Sequence, residues 1–90
     1  MTFERNLTYL GTSEKDYLEV QGILASKKGV IQLESAHELT EGALYNGCAV
    51  VISHKPDLRM TSIAVASEDD DVGRKLFNEL ELILKETKSR

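Results

Sequence analysis

The densest group of potential ligands in this chain is the run Glu68, Asp69, Asp70 and Asp71. Several carboxylate oxygens are what a hard divalent cation requires. Three adjacent aspartates, however, fan around a backbone instead of converging, and no glycine-pinned calcium loop surrounds them. Their place at the head of an apolar-periodic stretch suggests other chemistry. Carboxylates favour the positive end of a helix dipole and its free N–H groups. The same charge repels phosphate from that helix end, so the ligand such a cluster would take is a basic partner surface. Ser67, followed by four acids, also fits the substrate pattern of an acidophilic kinase, and a phosphate there would deepen the negative patch.

The remaining reactive side chains are sparse. His37 lies near Glu34, Glu38 and Glu41, and His37 and Glu41 would share a face if that segment were helical. Two ligands without a third do not make a metal site. His54 stands at a strand end with Asp57 close by, but no nucleophile accompanies it. Cys48 is six residues earlier on the same strand face, about 20 Å away at strand rise, too far to pair. It reads as a small buried hydrophobe. The chain has no glycine-rich phosphate loop, CxxC or GxSxG. These residues imply no catalytic constellation, no metal and no cofactor, and the protein is expected not to be an enzyme.

The elements that would position these groups follow from local pattern. Val72, Leu76, Phe77, Leu80, Ile83 and Leu84 recur at three- and four-residue spacing, which predicts an amphipathic helix directly behind the acidic run. Residues 13–28 predict a second helix: Ser13 and Asp16 imitate a capping box, Tyr17, Val20 and Leu24 form a stripe, and Lys27, Lys28 and Gly29 suit its end. Gly22 opposes this by about 1 kcal/mol. The same letters also alternate as a strand that could form a hairpin with 30–33. Residues 3–10 place Phe3, Leu7 and Tyr9 on one side of a strand, with a turn or two of helix as the rival. Residues 30–35 read as a strand and 36–42 as a loop or one helical turn. Asn46-Gly47 signals a hairpin turn. The apolar run 48–54 suggests a strand buried on both faces. Pro56 sets a turn into a strand over 59–66, with Thr61, Ile63 and Val65 facing one way. The expectation is an α+β two-layer sandwich in the order β-α-β-β-β-α, with two helices on one face of an antiparallel sheet of three to four strands.

Ninety residues with 41% apolar and 29% charged side chains fit a single domain over residues 1–90. A core of that size stabilises a chain modestly, and pairing with another chain would add burial. The net charge of −4 disfavours binding to nucleic acid. The lone cysteine excludes an internal disulfide and suits a reducing compartment. No apolar run spans a bilayer, and Glu4 and Arg5 stand where a signal peptide would be apolar. A cytoplasmic location is the expectation.

Two partial resemblances follow from these elements. Residues 13–88, read as α-β-β-β-α, share the order of a double-stranded-RNA-binding domain. In that family the last helix opens with a lysine cluster that grips phosphate. Glu68 to Asp71 invert the charge there, which points to a degenerate domain reused for protein contact. Val20 to Leu24, with Gly29 and Leu33 to Ser35, resemble the first hairpin of roadblock-type scaffold subunits, which would imply a dimeric adaptor. The residues as a whole imply a protein–protein interaction or regulatory module that self-associates or docks on a partner. A small-ligand-binding domain is the competing class.

Overall fold

The computed structural model describes residues 2–33 and 39–88. Its elements are β1 (Phe3–Leu10), α1 (Glu14–Ala25), β2 (Ile31–Leu33), β3 (Thr40–Tyr45), β4 (Cys48–Lys55), β5 (Met60–Ser67) and α2 (Asp70–Lys88). The α+β class holds, with both helices on one face. The sheet has five strands in the order β1-β5-β4-β3-β2, every neighbour antiparallel. The expected β-α-β-β-β-α order with three to four strands is therefore corrected by one strand, β3. Its residues Thr40, Glu41 and Gly42 carry little apolar pattern, and their strand character comes from pairing on both sides with β2 and β4.

Local chemistry explains most boundaries. Ser13 Oγ accepts from the Asp16 N–H while Asp16 Oδ2 accepts from the Ser13 N–H at 2.8 Å, so the capping box forms and residues 14–25 are helical. That removes the strand alternative for 18–24, and with it the hairpin on which the roadblock resemblance rested. The helix stops three residues before the expected end. The Ser26 hydroxyl and N–H both donate to the Ile23 carbonyl, and Gly29 at φ +83° serves the turn into β2. Asn46 and Gly47, at φ 50° and 80°, make the two-residue turn expected between β3 and β4. Four strands, not three, lie between the helices, so the element order shared with double-stranded-RNA-binding domains is not the one adopted.

The core lies between the helix layer and the inward sides of β1, β4 and β5. It holds Tyr17, Val20 and Leu24 from α1, Leu76, Phe77, Leu80 and Leu84 from α2, and Val50, Ile52, Ile63 and Val65 from the sheet. Lys27 Nζ reaches Glu79 Oε1 at 2.6 Å and joins the helices at the surface. Gly73 sits where α2 crosses the sheet most closely. A Cβ there would come within 2.8 Å of Phe3 Cδ1 and 2.9 Å of Ser67 Cβ. No described helix is long and apolar enough to cross a membrane.

Candidate functional site

Glu68 to Asp71 cap α2. The Asp69 carboxylate accepts the Val72 N–H at 3.1 Å, its carbonyl accepts the Gly73 N–H at 3.0 Å, and Arg74 binds Asp70 at 2.6 Å. The carboxylates spread around a shallow groove at the helix start. Among the described residues, no group of three or more histidine, cysteine or acidic side chains is arranged to hold a metal ion. Ser67 is 7% exposed and its Oγ accepts the Asp69 N–H at 3.1 Å. A kinase would reach that hydroxyl only after β5 and α2 separated locally. The cluster of His37 with Glu34 and Glu38 falls outside the described residues.

A second polar group lies inside the fold. Thr61 Oγ1 is 2.6 Å from Thr12 Oγ1 and 2.9 Å from His54 Nδ1, and the His54 ring stacks beside Tyr17 with centroids 6.3 Å apart. All four side chains are buried. The Thr12 N–H donates to the Arg59 carbonyl at 3.1 Å, tying the entry of α1 to the β4–β5 turn. Among the described residues, no buried side-chain polar atom lacks a hydrogen bond. The group thus leaves no fully buried donor or acceptor unmet, and it fixes α1 to the sheet. Burial and, secondarily, the Glu41 carboxylate push the Tyr17 phenol above its ordinary pKa. Cys48 is also buried, at the far end of β4 from His54.

At the α2–β1 contact, the Tyr9 hydroxyl donates to Glu81 Oε2 at 2.6 Å. That bond is the main cause that holds the Glu81 carboxyl below its ordinary range, helped by Lys85. Burial first, then the same bond, raises the Tyr9 phenol. The Arg5 guanidinium lies 4.9 Å from the Phe77 ring centroid. An inward-pointing charge on the edge strand β1 discourages edge-to-edge pairing there.

Among the described residues, no helix lies over the other face of the sheet. Strand β4 was expected to be buried on both faces. Instead its residues alternate, with Cys48, Val50, Ile52 and His54 buried and Ala49 and Val51 exposed. The register aligns the outward residues in transverse rows. One row runs Glu4, Ala66, Ala49, Leu44, Ile31, and the next runs Asn6, Ala64, Val51, Gly42, Leu33. The third is a row of hydroxyls, Thr8, Ser62, Ser53 and Thr40, in which Thr8 and Ser62 are 3.0 Å apart. From β5 to β2 the first two rows are wholly apolar. Val51 is 48% exposed, Ile31 60%, Leu33 45% and Leu44 42%. A shallow depression borders Leu44, Ala49 and Ala66 at one end of this surface. Sequence reasoning missed the surface because its residues sit on four different strands. Only the observed register brings them together.

No family model matches this chain, and no curated protein and no solved structure is significantly similar to it.

Proposed function

We propose that this chain is a non-catalytic interaction module that binds another protein through the open face of its sheet. The observation that carries the reading is the apolar surface formed by the two outward rows over β5, β4, β3 and β2. A one-sided antiparallel sheet normally turns polar side chains to solvent, and exposed apolar patches rimmed by polar residues mark interaction sites. The rim here is Glu4 and Asn6 on β1 and the hydroxyl row beyond Val51. On the outward strand positions the charged residues are Glu4, on the edge strand β1, and Lys55, at the end of the central strand β4. A surface so poor in cations offers nucleic acid nothing to neutralise phosphate with. The acidic start of α2 lies beside the patch and would favour a basic margin on the partner.

The test is photocrosslinking from an unnatural residue at position 64, on the β5 side of the apolar area, against the same group at the exposed Asn78 of α2. Position 64 is expected to give defined protein adducts that the substitution Val51→Lys abolishes. Adducts at 64 no stronger than those at 78 would end this reading.

A further inference from the structure

We propose that the occupant of the open face is a second copy of this chain, packed sheet to sheet about a two-fold axis that runs along strand β4. This rests on the reading of the open face as the binding surface and specifies what covers it.

The first argument is area. The 33 residues of the five strands, at about 3.3 Å per residue and about 4.8 Å between strands, cover roughly 520 Å² in projection. That is about a tenth of the chain's 5817 Å² of accessible surface. A standard interface takes about 800 Å² and about a tenth of a small protein's surface from each partner. The face thus approaches the share of surface that a dimer of this size buries, at the small end of the range.

The second argument is shape. The face is bulky toward β2 and β3, where Ile31, Leu33 and Leu44 stand up, and flat toward β5, where Ala64 and Ala66 form a floor. A two-fold axis along β4 lays the β3 side of one copy over the β5 side of the other. Leu44 then meets Ala66, and Gly42 meets Ala64. Val51 meets its own counterpart near the axis. Over β5, β4 and β3 the same operation keeps apolar rows over apolar rows and hydroxyls over hydroxyls, so Ser53, Ser62 and Thr40 can hydrogen-bond across, while at the margins Ile31 and Leu33 lie over Glu4 and Asn6. An axis perpendicular to the strands either sets apolar rows against hydroxyls or overlaps two rows alone. Glu4 falls at the rim over Ile31 of the other copy, and the exposed Lys55 meets its own counterpart only at the end of β4, about 13 Å along the strand from Val51. Sheets in this arrangement cross at about −30° and lie about 10 Å apart, a spacing that side chains as small as alanine and valine with a few leucines fill.

Light scattering behind size exclusion measures the outcome on the intact chain. The wild type is expected to run as a dimer at about 50 µM. Val51→Lys, which brings two ammonium groups together at the axis, is expected to be monomeric at the same concentration. That corresponds to weakening by at least about 100-fold. Asn78→Lys, on the solvent side of α2, should stay dimeric. Val51 is half exposed, so the lysine variant should keep the wild-type circular dichroism. As a second measurement, Val51→Cys treated with a short bismaleimide should give a covalent dimer, whereas Asn78→Cys should not; Cys48 is buried and serves as a silent background. A wild type that remains monomeric at 500 µM overturns the proposal, as does a Val51→Lys variant that remains dimeric. Crosslinking at 51 no faster than at 78 does the same. The two failures are separable. A monomeric wild type whose residue-64 adducts with other proteins persist removes the second copy and leaves the binding reading, and loss of those adducts removes both.

Discussion

Two glycines lie inside helices, and replacing each by alanine should move stability in opposite directions. Gly22 is on the exposed side of α1, and a Cβ there would meet nothing within 4 Å. Gly73 is in the first turns of α2, where a Cβ would fall 2.8 Å from Phe3 Cδ1, 2.9 Å from Ser67 Cβ and 3.0 Å from Phe3 Cβ. Both changes recover the helix propensity that glycine lacks, about 0.8–1 kcal/mol. At Gly22 nothing opposes that gain. At Gly73 two of the three clashing atoms are β-carbons held by strand backbone, so relief requires α2 to lift from β1 and β5. Overpacking of this kind costs about 1–3 kcal/mol. Gly22→Ala should therefore stabilise by about 0.5–1 kcal/mol, and Gly73→Ala should destabilise by up to about 2 kcal/mol. With a urea slope of about 1 kcal/mol per molar, the midpoints should separate by roughly 1–3 M. In heat, 1 kcal/mol should move Tm by about 4–8 °C at this size. Both variants belong in the Val51→Lys background, so that any dimer equilibrium does not enter the midpoints. If Gly73→Ala stabilises as much as Gly22→Ala, the close crossing of α2 over Phe3 and Ser67 is wrong.

Thr61→Val should cost about 2–3 kcal/mol by urea unfolding, since it leaves the Thr12 hydroxyl and His54 Nδ1 without their shared partner; adding Thr12→Val should then cost less than the sum of the two single changes. Asp69→Ala removes the side-chain acceptor of the Val72 N–H and should cost about 1 kcal/mol, read from the same unfolding curves. The Glu81 carboxyl is held below its ordinary range in the folded state, chiefly by Tyr9. Its contribution is complete above the unfolded carboxylate pKa and is lost as pH falls through the lower folded value. Urea midpoints taken from pH 7 down to pH 3 should therefore fall more steeply for the wild type than for Tyr9→Phe.

The parts legible from sequence were those whose signal is local. The apolar spacing from Val72 to Leu84 specified α2, because a helix reads its partners three and four residues away. Ser13 with Asp16 and Asn46 with Gly47 specified a helix start and a turn, because their hydrogen bonds and positive φ angles close within a few residues. Strand β3 was not legible. Gly42 has no side chain to pattern, and it is accommodated because Leu33 and Val51 flank it in the register. The buried trio Thr12, Thr61 and His54 was equally hidden, since its members are drawn from the β1–α1 connection and two strands. A polar residue declares itself buried only when its partner, about 50 positions away for Thr12 and Thr61, is brought beside it.

The misreading of β4 bears directly on the proposed function. CAVVISH looked like a strand buried on both sides because its outward residues, Ala49 and Val51, are as apolar as its inward ones. A strand whose outer face was selected for water should not produce that confusion, and parts of this sheet do not. Beyond Val51 the outward residues of β4 become Ser53 and Lys55, and beyond Ala64 in β5 the next is Ser62. The change of character falls at the same register position on both strands, and on the neighbouring β3 Thr40 continues it. Chance exposure of single apolar residues, which is common, would not align its limit across three strands. On the other axis the limit lies between β5 and β1, where Ala66 and Ala64 give way to Glu4 and Asn6. An apolar area with straight borders in two directions has the outline of a footprint, and its centre is Ala49 and Val51, the residues that made the strand look buried. Those residues read as buried because they are apolar on both sides of the strand, and they are the ones that the proposed second copy would cover.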